Sequence, residues 1–220
     1  MTPPPCPDWN EDLPGDLPRI IANIKDLWPL IEADATARPA PSLALALEWH
    51  RRIYDRVTVP HPDYVGQVRD SDPRFPCLID YEVAVGTARG LSARDVPAAL
   101  DAFVRATAAV VSALDSAVPP VGAPSSPPVV AAIVRLCAYG HGEWIRIHPF
   151  ANGNGRTARL WANWIAVRYG LPPFVRIKPR PGAVLFAGAA EMSMRGDHRP
   201  TEVMFASMLG DALRTATGQP

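Results

Sequence analysis

The stretch "IRIHPFANGNGRTARLW" (Ile145–Trp161) places one histidine, a turn of small residues and two arginines close together in the chain. At its centre, Gly153 and Gly155 carry no side-chain bulk and accept left-handed backbone angles. Successive N–H groups at such a turn form a concave site for an anion. A helix that begins directly after the turn points the positive end of its dipole at the same place. The stretch therefore predicts two helices joined by a phosphate-binding turn.

Three charged or titratable side chains flank this turn. Arg156 and Arg159 are three positions apart, so both would lie near one face of the first helical turn. Guanidinium forks suit phosphate oxygens. His148 stands just before the turn, and a neutral imidazole can accept a proton near pH 7. Together these side chains predict a polyphosphate site with a general base at its rim.

Other interpretations of the same residues are weaker. "GNGRTA" fits the dinucleotide pattern G-x-G-x-x-A, but that pattern requires a preceding strand and an acid about 20 positions later. The chain does not alternate strands with helices, and the downstream "LPPFVRIKPRPG" contains no acid. The glycine turn is not a P-loop either, because no G-K-[ST] follows the glycines. A capped turn with a buried histidine and two solvated arginines would explain each feature alone, but it explains their combination poorly.

Composition narrows the class of protein. The 220 residues suffice for one domain with a substantial core. Lys plus Arg equal Asp plus Glu, 22 against 22, so we expect no nucleic-acid partner. No stretch approaches the roughly 18 apolar residues of a membrane span, and the acidic start is unlike a signal peptide, so we expect no membrane contact. The three cysteines, Cys6, Cys77 and Cys137, lack metal-ligand spacing and are interpreted as reduced thiols of a cytoplasmic protein.

Apolar positions recur with helical spacing along most of the chain. Residues 1–17 are rich in proline and are predicted to be a flexible tail, followed by a single domain over residues 18–220. The segment "YVGQVRDSDPRFPCLIDY" (Tyr64–Tyr81) differs, because two β-capable runs flank the turn signal "DSDP" and predict a small hairpin. We therefore expect a mostly α-helical bundle with one small β-hairpin.

The segment "HPFANGNGRTAR" (His148–Arg159) resembles the signature of the Fic family, H-P-F-x-[D/E]-G-N-G-R-x-x-R. The positions that agree are His148, Pro149, Phe150, Gly153, Asn154, Gly155, Arg156 and Arg159. The resemblance implies a Fic-type helical bundle in which the signature forms a helix–loop–helix. It also places the family's β-hairpin flap at "YVGQVRDSDPRFPCLI", where the flap would clamp a target segment by edge-strand pairing. An ordinary surface hairpin explains that segment equally well.

The resemblance also implies an activity. Most members transfer AMP from ATP to a protein hydroxyl, and some relatives transfer UMP, GMP, phosphocholine or a terminal phosphate. His148 would deprotonate a Ser, Thr or Tyr hydroxyl of a target protein, which would attack the α-phosphorus of ATP or another nucleoside triphosphate. Phe150 would anchor the loop. The phosphate-binding residues would be Gly153, Asn154, Gly155 and Arg156 for the α- and β-phosphates, and Arg159 for the γ-phosphate.

The chain departs from the signature at its acidic, Mg²⁺-binding position, which is Asn152. An amide offers a hard cation one carbonyl oxygen but no negative charge. Two unit charges about 4 Å apart interact by roughly 4 kcal/mol at an effective dielectric near 20. We therefore expect Mg²⁺ to be held weakly. This departure leaves two alternatives open: a Fic fold with another phosphodiester donor or a small-molecule acceptor, and a degenerate module that binds nucleotide or a partner without turnover.

A second departure concerns regulation. Many relatives carry a self-inhibitory helix with the pattern [S/T]-x-x-x-E-[G/N], whose glutamate pairs with the second signature arginine. None of the glutamates in this sequence is followed by Gly or Asn. Two options follow from the resemblance: a separate small antitoxin-like protein supplies the glutamate to Arg159, or the enzyme is not regulated in this way.

Overall fold

Seven α-helices and one short β-hairpin are present in the part of the chain that this computed structural model describes, residues 6–85, 88–120, 122–124, 126–177 and 183–217. The strands β1 (Ala84–Val85) and β2 (Ala88–Arg89) pair antiparallel. The predicted mostly α-helical fold with a small hairpin is confirmed. The helices are α1 (Leu17–Ala37), α2 (Leu43–Ile53), α3 (Val96–Ala117), α4 (Pro127–Ile147), α5 (Asn154–Arg168), α6 (Ala183–Met194) and α7 (Arg199–Thr217).

Helix α5 forms the centre of the bundle. Nearly all of its side chains are buried, and Trp161 and Trp164 have no exposed surface, as expected of a helix that is surrounded by protein. α4 lies close to α5 where a glycine permits it, because a β-carbon on Gly140 would lie 3.0 Å from Ile165 Cδ1. α1 also packs against α5, while α3, α6 and α7 pack against α4. These contacts hold both ends of the α4–α5 connection, which carries the signature.

Helix α3 packs one apolar face against α4, with Leu100 and Phe103 buried. Together with the turn before it, the segment Ala93–Ala117 is by length and composition alone long and apolar enough to cross a membrane. The expectation that no stretch of the chain is long and apolar enough to span a membrane is therefore wrong for this segment. Core helices of folded domains meet the same criterion, so this property is weak evidence for a membrane.

The N-terminal segment, residues 6–16, packs against the domain. Trp9 is 2 % exposed, and its ring lies 4.6 Å from the ring of Tyr54. The hydroxyl of Tyr64 donates a hydrogen bond of 2.6 Å to the carbonyl of Pro7. The prediction of a flexible tail over residues 1–17 is thus wrong for residues 6–16 and for Leu17, which begins α1, whereas residues 1–5 lie outside the described residues. Proline content suggested a solvated chain, but the buried tryptophan, the Tyr64 hydrogen bond and a disulfide at Cys6 together offset part of the cost of ordering such a segment.

The hairpin lies later in the chain than predicted. Residues 64–81 form turns and short 3-10 helices, Pro62–Tyr64 and Pro76–Leu78, instead of strands. Pro73 and Pro76 lack the N–H donors that a strand ladder needs, and the side chain of Arg69, at the end of the first β-capable run, is fully buried. The pairing occurs at β1 and β2 instead, so the predicted hairpin at residues 64–81 is corrected to Ala84–Arg89.

Cys6 and Cys77 form a disulfide that ties the N-terminal segment to the 3-10 helix Pro76–Leu78. Cys137 is buried and free. The interpretation of all three cysteines as reduced thiols is therefore wrong for Cys6 and Cys77. The two residues are 71 positions apart, and only the packing of the N-terminal segment brings them together, which cysteine spacing does not reveal.

Loss of this disulfide is expected to lower stability. A crosslink of this kind contributes about 2–4 kcal/mol, which corresponds to a drop in Tm of roughly 4–16 °C for a domain of this size. Thermal denaturation with and without reductant measures the effect. The Cys6→Ser/Cys77→Ser variant serves as the control, since reductant should leave its Tm unchanged. A wild-type Tm that does not respond to reductant, together with two free thiols at these positions by mass spectrometry, would show that the crosslink does not form.

Candidate active site

The α4–α5 connection, residues 148–153, passes twice through left-handed backbone conformations. α4 ends at Ile147, His148 takes φ 53°, and Gly153 takes φ 82° as the N-cap of α5. A β-carbon on Gly153 would lie 2.9 Å from the Tyr54 hydroxyl, so a side chain does not fit there. The first N–H groups of a helix have no acceptor within the helix. The start of α5 therefore presents N–H groups and the positive end of its dipole, which is the predicted anion site.

Asn154 stabilises this connection from within. Its Oδ1 accepts a hydrogen bond of 2.9 Å from the backbone N–H of Phe150, and its Nδ2 donates one of 2.8 Å to the carbonyl of the same residue. Both polar atoms of this buried side chain therefore help to hold the loop. Phe150 is fully buried and its ring stacks 3.9 Å from that of His50, so it anchors the loop as the resemblance implied.

His50 supports the turn from α2, and sequence analysis did not single it out. Its Nδ1 accepts a hydrogen bond of 2.9 Å from the N–H of Gly66, so Nε2 carries the proton and donates to the carbonyl of Asn152 at 3.0 Å. Burial lowers the pKa of His50 to about 3, which keeps the ring neutral. These partners lie 16 and 102 residues away, so the helical pattern around His50 contains no sign of them.

His148 is oriented as a proton acceptor. Its Nδ1 lies 3.0 Å from the carbonyl oxygen of Ile145. A carbonyl only accepts, so Nδ1 carries the proton and Nε2 keeps its lone pair. Burial, assisted by the neighbouring positive charge of Arg69, lowers the pKa of His148 to about 4. The ring is therefore in its basic form at pH 7.

Arg69 holds the backbone at which His148 sits. Its guanidinium donates hydrogen bonds to four carbonyl oxygens, those of His148 (2.9 Å), Ile147 (3.1 Å), Tyr81 (2.8 Å) and Leu91 (2.9 Å). The Arg69 N–H also donates to the carbonyl of Pro149 at 2.8 Å. The side chain has no exposed surface. Because three of these bonds reach residues 147–149, Arg69 positions the left-handed turn, although an arginine in "VRDSDP" looked like part of an exposed hairpin.

Stability is expected to fall in mild acid because three histidines are buried in neutral form. Burial lowers the pKa of His50 and His141 to about 3 and that of His148 to about 4, from about 6.5. The unfolded chain therefore binds more protons than the folded one below pH 6.5. The stabilisation is complete above that pH and is lost as the pH falls toward 4 and then 3. Thermal melts at pH 7, 6, 5 and 4 should show a decreasing Tm, whereas a constant Tm would contradict the neutral burial of these rings.

The two signature arginines have different surroundings. Arg156 NH1 and NH2 lie 2.6 and 3.1 Å from the two carboxylate oxygens of Asp12, and NH2 also donates to the Tyr54 hydroxyl. Arg159 donates from Nε to the carbonyl of Ile177 at 3.2 Å. The sequence predicted that both guanidinium groups lie near one face of the first turn of the helix, where they would bind phosphate oxygens. The structure places both at the cleft, but it pairs Arg156 with an aspartate of the N-terminal segment.

One cleft of about 1130 Å³ brings these groups together. Its walls also include the N-terminal segment, the strand positions Ala84 and Ala88, and part of α6 around Phe186. All sequence-predicted site residues therefore border a single space large enough for a nucleotide. From the signature, the cleft is lined by His148, Asn152, Gly153, Asn154, Gly155, Arg156 and Arg159.

Oxygen atoms suited to a hard cation lie next to the turn. Asn152 Oδ1 accepts the N–H of Gly153 at 2.6 Å, and Asn152 Nδ2 lies 3.4 Å from Oδ1 of Asp12. Amide and carboxylate oxygens are ligands that Mg²⁺ uses. Of these two residues, Asn152 lines the cleft, whereas the carboxylate of Asp12 is bonded to the guanidinium of Arg156. Elsewhere in the described residues, His61 and Asp63 lie near Cys77, but the sulfur of Cys77 is engaged in the disulfide.

The fold and cleft define a class of protein: an α-helical domain in which a basic histidine and an anion-binding helix start face the same space. The model of the Fic/DOC family matches residues 40–166, more than half of the chain. The chain belongs to the Fic/DOC family.

Individual relatives agree with this assignment. Protein adenylyltransferase Fic of Drosophila persimilis is 39% identical over 67 residues, which are 30% of this chain and 13% of that protein. A Fic domain containing signaling protein from Bacteroides thetaiotaomicron has a TM-score of 0.59 at 20% identity, over 91% of this chain and 73% of that one. BepC of Bartonella tribocorum, with bound AMPPNP, has a TM-score of 0.53 at 14% identity, over 84% and 86%. The two structural likenesses show the fold, and the chain spans only a small part of the Drosophila relative.

Proposed function

We propose that this chain transfers AMP from ATP to a Ser, Thr or Tyr hydroxyl of a target protein. One observation carries the proposal: the unprotonated Nε2 of His148 and the N-terminus of α5 at Gly153 border the same cleft. The family and the name of the Drosophila relative support the reaction class. The AMPPNP bound to BepC supports ATP as the donor.

The chemistry requires a proton acceptor next to a phosphorus atom. The target hydroxyl oxygen bonds to the α-phosphorus while its proton passes to Nε2 of His148. The bond between that phosphorus and the oxygen bridging to the β-phosphate breaks, and pyrophosphate leaves with the electron pair. The His148 imidazolium then returns its proton to solvent, which is favourable because the pKa of His148 is lowered to about 4.

The remaining site residues bind and neutralise the phosphates. The N–H groups of Asn154 and Gly155 at the start of α5 donate hydrogen bonds to α- and β-phosphate oxygens, as does the guanidinium of Arg156. Arg159 binds the γ-phosphate from farther along the helix. Mg²⁺, when bound with the triphosphate, would neutralise further phosphate charge, and the side-chain oxygen of Asn152 would hold it weakly.

The hairpin is suited to present the target. Ala84 of β1 and Ala88 of β2 line the cleft that contains His148. A target segment that pairs with an edge of this hairpin would bring its hydroxyl to the imidazole by main-chain hydrogen bonds. Because such bonds do not depend on side chains, target choice would depend on the residues flanking the hydroxyl.

Label transfer tests the proposed function. The chain is incubated with host lysate and each of labelled ATP, GTP, CTP and UTP, beside the His148→Ala variant, which lacks the base. Label that enters protein from ATP only when His148 is intact supports the proposal. If only another nucleotide labels protein, that nucleotide is the donor and ATP is not. If no nucleotide labels protein, the proposal is contradicted.

A second candidate function is nucleotide binding without turnover. Two observations favour it: position 152 carries an amide, and the Arg156 guanidinium is already paired with Asp12. In this case the protein binds ATP in a direct binding assay but labels nothing. An antitoxin-like partner that supplies an inhibitory glutamate to Arg159 is a further proposal, and co-purification from the native host tests it.

A further inference from the structure

An imidazole and a carboxylate lie beside the disulfide between Cys6 and Cys77. Ligand atoms of His61, Asp63 and Cys77 all lie within 4.8 Å of one another. Because the sulfur of Cys6 is bonded to that of Cys77, it lies at the edge of the same cluster. Three separate segments of the chain therefore bring two sulfurs, one imidazole and one carboxylate together.

These four groups are of the kinds that bind Zn²⁺. Structural zinc sites hold the ion in a tetrahedron of thiolate, imidazole and carboxylate ligands, about 2.3 Å from sulfur and about 2.0–2.2 Å from nitrogen or oxygen. Atoms that already lie within 4.8 Å of one another need only small side-chain shifts to reach one such ion. Mg²⁺ and Ca²⁺ prefer oxygen ligands alone, whereas sulfur mixed with nitrogen and oxygen favours zinc.

The imidazole and the carboxylate are available to a metal. The Nδ1 atom of His61 accepts the N–H of Asp63 at 3.3 Å, a long contact that a metal bond can replace. The Asp63 carboxylate makes no hydrogen bond within the described residues, and its Oδ2 lies 3.6 Å from Nδ1 of His61. Both side chains are partly buried, so little further ordering is needed for them to act as ligands.

The disulfide and a bound metal are alternative states of the two sulfurs. A dithiol reductant adds two electrons and two protons to the disulfide, so the S–S bond breaks, Cys6 and Cys77 become thiols, and the reductant becomes a disulfide. Zn²⁺ then displaces the two thiol protons to solvent and binds both thiolates. Cys6 is exposed and lies in an irregular segment before α1, so its side chain is free to turn until both sulfurs reach one ion.

We propose that the two cysteines, together with His61 and Asp63, form a tetrahedral Zn²⁺ site when the chain is reduced. The ion replaces the disulfide as the tie between the N-terminal segment and the 3-10 helix Pro76–Leu78. Residues 8–11 of that segment line the cleft, so this wall stays in place in both redox states. In the described part of the chain none of the four ligands lines the cleft, so the site does not depend on the transferase function.

Zinc binding to the purified chain tests the proposal. The chain is reduced with a phosphine, which becomes a phosphine oxide, and is titrated with Zn²⁺ in competition with a chromophoric chelator. The reduced wild type should bind a single Zn²⁺ per chain, and the disulfide-bonded chain should bind it at least about 100-fold more weakly, because it has no thiolates. Zn²⁺ at about 100 times its Kd should raise the Tm of the reduced wild type by about 5–11 °C.

Two variants that keep both cysteines distinguish this site from zinc capture by thiols alone. His61→Ala and Asp63→Asn should each weaken Zn²⁺ binding by at least about tenfold, which is the smallest effect expected even for loss of a residue that only supports a ligand. Melts of their disulfide-bonded forms show whether they are folded. Asp80→Asn is the matched control, because this exposed carboxylate pairs with Arg94 in the same part of the chain, and its loss should leave Zn²⁺ affinity unchanged.

Cobalt reports the geometry of the site. Co²⁺ bound to the reduced wild type should show the intense visible bands of a tetrahedral ion and a thiolate charge-transfer band. Absence of zinc binding by the reduced wild type overturns the proposal. So does binding that Cys6→Ser/Cys77→Ser retains, or binding at full strength in both His61→Ala and Asp63→Asn. If the zinc pattern holds but no protein is labelled, only the transferase function fails.

Discussion

Replacing His148 by alanine is expected to lower the rate of AMP transfer by about 10²–10⁴-fold, because the variant lacks the group that accepts the hydroxyl proton. The Nε2 atom of His148 is available for this task since Nδ1 is bonded to the Ile145 carbonyl. The N–H groups at the start of α5 do not depend on the imidazole. ATP affinity should therefore change by no more than about threefold, as for a group that acts in the transition state.

Single-turnover kinetics with a purified target, or the rate of labelling in lysate, measures this loss, and direct ATP binding measures the affinity. His61→Ala is the matched control, because His61 lies outside the cleft and its loss should leave the rate close to that of wild type. The rate of the wild type should also stay constant as the pH is lowered from 7 toward 5, since the pKa of His148 is about 4. A His148→Ala variant that retains the wild-type rate would rule out the base.

Features that depend on neighbours in the sequence were predictable. The turn at Gly153 follows from a glycine just before an apolar helix, and the φ of 82° at Gly153 agrees with the left-handed angles that were expected, whereas Gly155 lies in the first turn of α5. The buried helix α5 follows from its run of apolar residues. The position of His148 at the rim of the phosphate turn follows from adjacency alone, because five residues cannot separate two groups very far.

Features that depend on contacts across the chain were not predictable. Asp12 meets Arg156 across 144 residues, and Cys6 meets Cys77 across 71. No local pattern marks either pair, since an acidic, proline-rich start is equally typical of a solvated tail. Burial of Trp9 helps to order the N-terminal segment against the domain. The free energy gained by burying this ring depends on a pocket that exists only in the folded domain.

The hairpin was predicted at the wrong place because local strand propensity does not determine where strands pair. The runs on both sides of "DSDP" have high strand propensity, but propensity for strands reports how well a side chain fits a half-buried surface. Arg69 lies in one of these runs and is fully buried, with its guanidinium satisfied by carbonyls. Tertiary contacts therefore override the local preference, and the short strand pair forms at Ala84–Val85 and Ala88–Arg89 instead.

Replacing Arg69 by methionine is expected to destabilise the fold by about 3–5 kcal/mol, since it leaves buried carbonyl oxygens without donors. For a domain of this size that corresponds to a drop in Tm of roughly 6–20 °C. Arg69→Lys should be nearly as harmful, because one ammonium cannot replace a fork that spans four carbonyls. Arg74→Met is the control: that arginine is exposed and its ion pair is with the nearby Asp72, so the Tm should hardly change.

Kinetics distinguish a positioning role for Arg69 from a purely structural one. The Arg69→Met variant loses the two guanidinium bonds to the carbonyls of Ile147 and His148 but keeps the backbone bond to Pro149, and none of these bonds reaches the start of α5. At a temperature where the variant is folded, kcat should therefore fall by about 10²-fold, as expected when a catalytic group is displaced by about 1 Å, while KM for ATP stays nearly constant. Two results would show that Arg69 does not set the position of His148. One is a Tm of Arg69→Met equal to that of the wild type, and the other is an equal fold-change in KM and kcat.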